Sequence, residues 1–493
     1  MATNFLHGVE TVEVNSGPVP IQLVKTAVIG LVGIAPVWQF AQADQSINQP
    51  VLILNDQLGT TTFGTEVDGY TIPQALQAIS DQQVNGQGSG AVIVVNVFDP
   101  SVHKSSIAAK PFTFDITDKI SLGEVGIANL VVKNQAGATT YAVGTDYTLD
   151  PIGGVITRVA TGTIPAGAQV QASFDYADPS KVTAADIIGA VNLAGQRTGM
   201  QCFLDCANDF GFKPKLLIAP GYSQMASVAV AMDVMAQALR GICFVDAPLG
   251  TTFQQAIEGR GPNGSIAFDT SSERTVLCYP YVQIFDQASN AYVLEPYSQR
   301  LAGVTAATDL AFGYWYSPSN KEIQGITGIE IKLTASINDP NSEVNILNEE
   351  GICTIFNAYG TGLRAWGNRS SAWPTETAPK NFICIRRVAD VIADSIEQSS
   401  LQFVDLPITN GQIDAVVESV NSFLRTLVGR GALIDGKCSY VQANNPATEL
   451  ALGHITFNYS FMPPPPMERI TYEALVDINM LNELGSTTYQ QGS

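Results

Sequence analysis

The sequence predicts a mixed α/β and α+β multidomain chain. It comprises a doubly wound α/β core, an inserted small β-sandwich, a C-terminal α+β domain, and extended strand arms at both ends. Three observations carry this reading. Short Val- and Ile-rich runs such as "TAVIGLVG" (26–33), "VLILN" (51–55) and "AVIVVNVF" (91–98) alternate with helical stretches, as strands covered on both faces do. That alternation stops near residue 100 and resumes near 179, with short strand-like segments between. Both ends carry alternating apolar residues beside prolines. At roughly 150 residues per domain, the 493 residues suggest about three domains.

Residues 1–25 read as an extended arm. "VETVEVN" sets Val12 and Val14 on one face, and Pro18 and Pro20 rule out a central strand. The core then occupies 26–99 and 179–344. In its first part, "TIPQALQAISDQ" (71–82) has Thr71 as N-cap and Pro73 in the first turn of a helix. Residues 100–178 interrupt it with "FTFDI", "ANLVVKN", "YTLD", "GVITRV" and "AQVQASFDY", separated by Gly, Asp and Pro turns, the spacing of a small sandwich.

The α/β pattern resumes with a helix over 183–199, a strand at "KLLIAPG" (215–221), and a long helix over 223–241 that Ser223 would cap and Gly241 would end. "ICFVDAP" (242–248) and "TVLCYPYVQIFD" (275–286) are strands, and 302–315 contains another helix. A C-terminal unit is expected over 345–466. It opens with two strands joined by "AYGTG", then a third strand "FICIRRV" (382–388) running into a helix. A second helix, 411–431, keeps Ile413, Val416, Val417, Val420, Phe423, Leu424 and Leu427 at the 3.6 period, and "HITFNYSFM" (454–462) is a strand. Beyond the stiff spacer "PPPP" (463–466), residues 467–493 form a second arm. Ile470, Tyr472, Ala474, Val476, Ile478 and Met480 fall at every second position, the period of a strand. Such a strand suits pairing with an open sheet edge on another chain.

Composition excludes several functions. The net charge is −20 and the pI about 4.4, which argues against a duplex-DNA binder. Only 14% of residues are charged, low enough to suggest that copies of the chain cover one another's surface. The longest apolar runs fall short of a membrane span. The start lacks a signal-peptide pattern, and the seven scattered cysteines argue against a disulfide framework, so a reducing cytoplasm is expected.

Catalytic constellations are thin. "GRGPNG" (259–264) matches G-x-G-x-x-G but follows a helical stretch and contains Pro262, so it reads as a plain loop. Cys202 and Cys206 are half a zinc site at best, and the three histidines are far apart. "APGYS" (219–223) sits where a doubly wound sheet places ligands, and Ser223 there sustains an alternative: an α/β enzyme or ligand-binding protein with a β-sandwich accessory domain. No catalytic residue, metal or cofactor is expected otherwise.

Several stretches, in order, resemble the contractile tail sheath family of bacteriophages and related injection machines. They are "FLHGVETVEVNSGPVPIQLVKTAVIGLVGIAP" (5–36), "YPYVQIFD" (279–286), "EPYSQRLAGVTAATDLAFGYWYSPSNKEIQGITGI" (295–329), "LNEEGICTIFNAYGTGLRAWGNR" (347–369) and "FICIRRVADVIADSIEQSSLQFVDLP" (382–407). The chain departs from the family pattern at "FVDLPITN". The resemblance implies a structural subunit of the virion, assembled in the host cytoplasm into a helical sheath of stacked rings. Its partners would be copies of itself, an inner tail tube, and baseplate and tail terminator proteins, with neither direct nucleic-acid contact nor membrane insertion. It further implies donation of both arms to neighbouring subunits, a tube-facing surface in the unit after 345, an outward β insertion, and contraction from a long, thin state to a short, wide one. The candidate interface charges are Arg364, Arg369, Arg386 and Arg387, which can grip carboxylates in bidentate fashion.

Overall fold

A computed structural model describes residues 20–287 and 289–484, so Val12 and Val14 lie outside the described residues. The central sheet has eight strands. In chain order they are β1 (Val28–Gly33), β2 (Pro50–Ile53), β3 (Ala91–Asn96), β4 (Leu216–Ile218), β5 (Ile242–Asp246), β6 (Thr275–Cys278), β7 (Ile352–Phe356) and β8 (Arg364–Trp366). Across the sheet the order is β8-β7-β6-β5-β4-β1-β3-β2. Pairing is parallel from β7 through β3 and antiparallel at the two outer pairs. Strands β1, β4, β5, β6 and β7 are buried at every residue, which is why they read as nearly unbroken apolar runs.

Helix α1 (Ala226–Leu239) follows β4, and helix α2 (Tyr297–Ala311) is buried at every position from Tyr297 to Asp309. A helix enclosed on all sides has no face to give its polar residues to water. Thr305 and Thr308 therefore return their hydroxyls to the carbonyls of Leu301 and Val304. Arg300, also enclosed, donates to Glu295, Asp81 and the Gln324 carbonyl.

Residues 104–177 form two three-stranded antiparallel sheets. Phe114, Ile120, Val132, Ile156, Val170 and Phe174 fill a core between them, separate from that of the central sheet. The insertion begins and ends at one place: the Asp178 N–H donates to the His103 carbonyl at 3.0 Å.

The C-terminal unit comprises α3 (Ile383–Ser400), α4 (Asn410–Gly429) and an antiparallel pair, β9 (Asp435–Tyr440) with β10 (Phe457–Met462). Val388, Val391, Ile392, Val420, Leu424 and Leu427 make its core. The Thr409 hydroxyl accepts from the Gln412 N–H at the start of α4.

Several expectations are corrected. "FICIRRV" is not a strand but the entry to α3. Its β-branched residues mimic a strand, yet Cys384, Val388, Val391, Ile392 and Ser395 recur at helical spacing and are all buried. The unit expected to open at 345 starts later, because β7 and β8 are edge-ward members of the central sheet. The helix expected over 183–199 is only Ala184–Ile188. It stops at Gly189, whose φ is +72°, and where a Cβ would lie 1.8 Å from the Thr198 carbonyl oxygen. Two caps are also reassigned. Thr71 is the first helical residue, and its hydroxyl accepts from the Ile34 N–H instead. Ser223 lies before Met225, the N-cap of α1, and Arg240 rather than Gly241 takes the left-handed conformation at its end.

The central sheet and the C-terminal unit are joined by charge. Asp390 on α3 takes a two-pronged grip from Arg274, at 2.6 and 2.8 Å, and a bond from Arg386, which also reaches Glu273. Asp394 binds Lys215 and Arg240, and Glu397 binds Arg240. Burial lowers the Lys215 ammonium below its ordinary range, with Asp394 working in the opposite sense.

A second clasp comes from Arg260, in the "GRGPNG" loop. It meets no carboxylate at bonding distance. Its five N–H groups donate to the carbonyls of Glu350, Phe268, Thr270, Ser371 and Trp373 at 2.6–2.9 Å, so one side chain ties three loops together. Lysine has three donors and cannot replace that fork. Arg260→Lys is therefore expected to destabilise the central domain by about 1–3 kcal/mol. Thermal denaturation reads this as a lowered midpoint; an unchanged midpoint would deny the clasp any role in stability.

Candidate assembly site

The C-terminal arm leaves β10 through Pro463–Pro466 and is exposed along nearly all of its described length. Residues 467–477 make no ladder bonds among the described residues, and a short 3-10 turn, Ile478–Glu483, follows. The strand expected here is thus absent from the isolated chain, since a strand needs a partner to take up its N–H and C=O groups. Ile470, Tyr472, Ala474, Val476 and Ile478 are all exposed, Val476 to 96%. Fully apolar side chains at this exposure are rarely left contiguous in a finished surface.

Among the described residues, one side-chain clamp holds the arm. The Arg369 guanidinium donates to both carboxylate oxygens of Glu468, through Nε at 2.9 Å and through Nη2. It lies over the rings of Trp373 and Phe382, 4.2 and 3.7 Å from their centroids, and donates to Asn381. At the other end of the chain, residues 20–25 lie along α3. The N–H groups of Gln22 and Val24 donate to the hydroxyls of Ser399 and Ser395, one helical turn apart. Ile21 and Val24 pack on the C-terminal core, and the Lys25 ammonium sits over Phe212.

The four arginines expected at an interface divide. Arg387 is buried and grips Asp309 with both terminal nitrogens, so it is an internal charge. Arg386 is engaged by Glu273 and Asp390 within the chain. Arg369 finds Glu468 of its own arm. Arg364 donates to the carbonyls of Thr361 and Asn320 and pairs with no carboxylate among the described residues. An acidic chain offers carboxylates inside the subunit as readily as outside it, and residue type alone does not separate the two.

The enzyme alternative rested on Ser223. Strand order reverses at β1, and beside it lies a hollow of about 360 Å³ lined by Gly69, Thr71, Ser180, Gly221 and Tyr222, none of them charged. Ser223 is fully buried. Its hydroxyl donates to Asp246 and accepts from the Asp246 N–H, both at 3.1 Å. The other Asp246 oxygen accepts from the Ser298 N–H at 2.8 Å, so this carboxylate serves as the missing cap of α2. Burial pushes Asp246 up to about 6, against the hydrogen bonds from Ser298 and Ser223. Cys202 and Cys206 are buried, with thiols pushed up by burial to about 11 and about 12. Among the described residues, no three His, Cys, Asp or Glu side chains are grouped to hold a metal ion.

Residues 181–371 match the phage tail sheath central domain, and residues 375–476 the phage tail sheath C-terminal domain. Over 475 residues the chain is 54% identical to the tail sheath protein of Burkholderia phage BcepMu, covering 96% of this chain and 97% of the relative. The chain belongs to the phage tail sheath family. The tail sheath protein of Escherichia phage P2 is 25% identical over 472 residues, with 95% of each chain covered. Among solved structures, the contracted helical sheath of the anti-feeding prophage shares the fold, with a TM-score of 0.59 at 16% identity over 96% of this chain and 100% of the other. The insertion, over residues 101–186, matches a family described only as of unknown function.

As a sheath protein the chain is a structural virion subunit and not an enzyme. The family's division between 371 and 375 coincides with the passage from the central sheet to α3. Ser223 and Asp246 are consequently parts of the scaffold, with a measurable signature. Folding raises the Asp246 pKa, so the folded state holds this proton more tightly than the unfolded chain does. The group thus opposes folding above pH ~6, and that opposition fades as pH falls from about 6 towards 4. Asp246→Asn removes the titration. Relative to the unmodified protein, the variant is expected to gain about 1–3 kcal/mol between pH 4.5 and pH 7.5. Thermal midpoints across that range test this, and parallel curves would refute it.

Proposed function

We propose that the subunit polymerises by strand exchange into a helical sheath of stacked rings around an inner tail tube, and that contraction of this sheath drives the tube through the host envelope. The observation that carries the reading is the C-terminal arm. It presents alternating apolar side chains to water beyond a proline spacer, and residues 467–477 make no ladder bonds among the described residues. The β9–β10 pair offers a receptor, since a two-stranded sheet has two open edges to which a neighbour's arm can add. The N-terminal arm, with Val12 and Val14, would be exchanged in the same manner.

In this reading the subunits move largely as rigid bodies and the arms act as hinges. The charge joint on α3 supports rigidity within each subunit. Contraction would draw on a free-energy difference between two helical packings, summed over many subunits, and needs no nucleotide. The core is taken as a doubly wound sheet, supported by the reversal of strand order at β1, and the insertion as an outward β-sandwich, supported by its two sheets and separate core. The C-terminal unit would face the tube, and baseplate and terminator proteins would cap the ends. Assembly would take place in the host cytoplasm. Of the candidate arginines, Arg364 is the one left to meet a neighbour's carboxylate.

Deletion of 467–493 is expected to leave a folded, soluble monomer that forms no tubes. Negative-stain microscopy of the intact and truncated chains tests this. Ordered tubes from the truncated chain would overturn strand donation.

A further inference from the structure

The Ser223–Asp246 cluster, the hollow beside β1 and the clamp on the C-terminal arm differ in what they can do. The first is internally satisfied and the second has no charged lining. The third has a geometry that does more than pack. We propose that Arg369 is a positioning residue that aims the C-terminal arm, and that α3 carries the roots of both arms as one rigid yoke. The proposal rests on the reading that 467–484 is donated to a neighbour.

Arg369 joins three parts of the chain. It follows β8 of the central sheet, stacks on Phe382 at the threshold of α3, and grips Glu468 two residues past the proline run. The guanidinium is fixed before the arm arrives, because Trp373, Phe382 and Asn381 set its plane. A two-pronged bond to a fixed planar group defines direction as well as position. A lysine-type point charge would not. Glu468 is half exposed, whereas Arg369 is largely covered, so the arm docks onto a preformed clamp and leaves it without disturbing the core.

The far half of α3 performs the corresponding task for the N-terminal arm. Ser395 and Ser399 accept alternate N–H groups of an extended segment, which fixes both its line and its register on the helix. The two arm roots therefore meet opposite ends of one 18-residue helix, the C-terminal one through Arg369 stacked on the N-cap Phe382. That helix is locked to the central sheet by Asp390 and Asp394. The position of one arm root is in this way tied to that of the other through the helix between them.

The test uses Glu468→Gln and Glu468→Lys in the full-length chain, since this exposed position leaves the fold intact. Two readouts are taken. Spin labels at positions 380 and 472 report the arm's direction in dispersed subunits; the native cysteines are buried. Sedimentation of tubes gives the critical concentration for assembly. The expected result is a broader distance distribution in both variants. The critical concentration should rise about three- to fivefold for Gln and further for Lys, with the differences shrinking at high salt. Unchanged distances and unchanged assembly would overturn the proposal. Tubes from the arm-deleted chain would instead overturn donation, so the two failures are told apart.

Discussion

Asp390 is the point on which the subunit's integrity turns. It is almost completely enclosed, and its two oxygens are shared among Arg274 from the central sheet and Arg386 from its own helix. A buried carboxylate without partners would be untenable, and the pairing is strict because both sides are shielded from water. Such a joint differs from an apolar contact in its directionality. Apolar surfaces slide at small cost, whereas a two-pronged ion pair loses both bonds on a small rotation. The central sheet and α3, with the C-terminal core packed on it, are consequently tied by directional bonds. A machine whose parts change their packing needs subunits that transmit displacement and do not absorb it.

The same principle explains the internal placement of so many scarce charges. The chain has 25 Lys and Arg against 45 Asp and Glu. Arg260, Arg274, Arg300, Arg386 and Arg387 are all spent on internal carbonyls or carboxylates. The surface is left acidic and sparsely ionic. Backbone groups and apolar side chains, the chemistry that the exposed arm carries, tolerate a change of neighbours better than fixed ion pairs do.

Much of this was legible in the sequence, and the failures share a cause. The strands of the central sheet were readable because burial on both faces leaves an apolar run that few other structures produce. Helix α4 was readable because one side is wet, so its period survives. The start of α3 was misread since Ile383, Ile385 and Val388 favour a strand locally, and the helical period shows only when the buried face is followed on to Val391, Ile392 and Ser395. Arg260 was invisible for a related reason: its acceptors are carbonyls, which every residue possesses. Arg369, Arg386 and Arg387 meet carboxylates of their own chain, which the sequence could not foretell because an arginine does not disclose where its carboxylate resides. The arm's alternation was legible, but the described residues hold no strand there, because alternation marks a side-chain period and does not supply the partner that a ladder needs.

The meeting of His103 and Asp178 has an architectural outcome. A domain whose two ends close on each other within one hydrogen bond is, for the rest of the fold, only a short turn. Its size, surface and chemistry can be exchanged without altering any distance between the sheet, α3 and the arms. The insertion and the rest of the fold are thereby separable in descent: the one can be replaced whole while every distance in the other stays as it is.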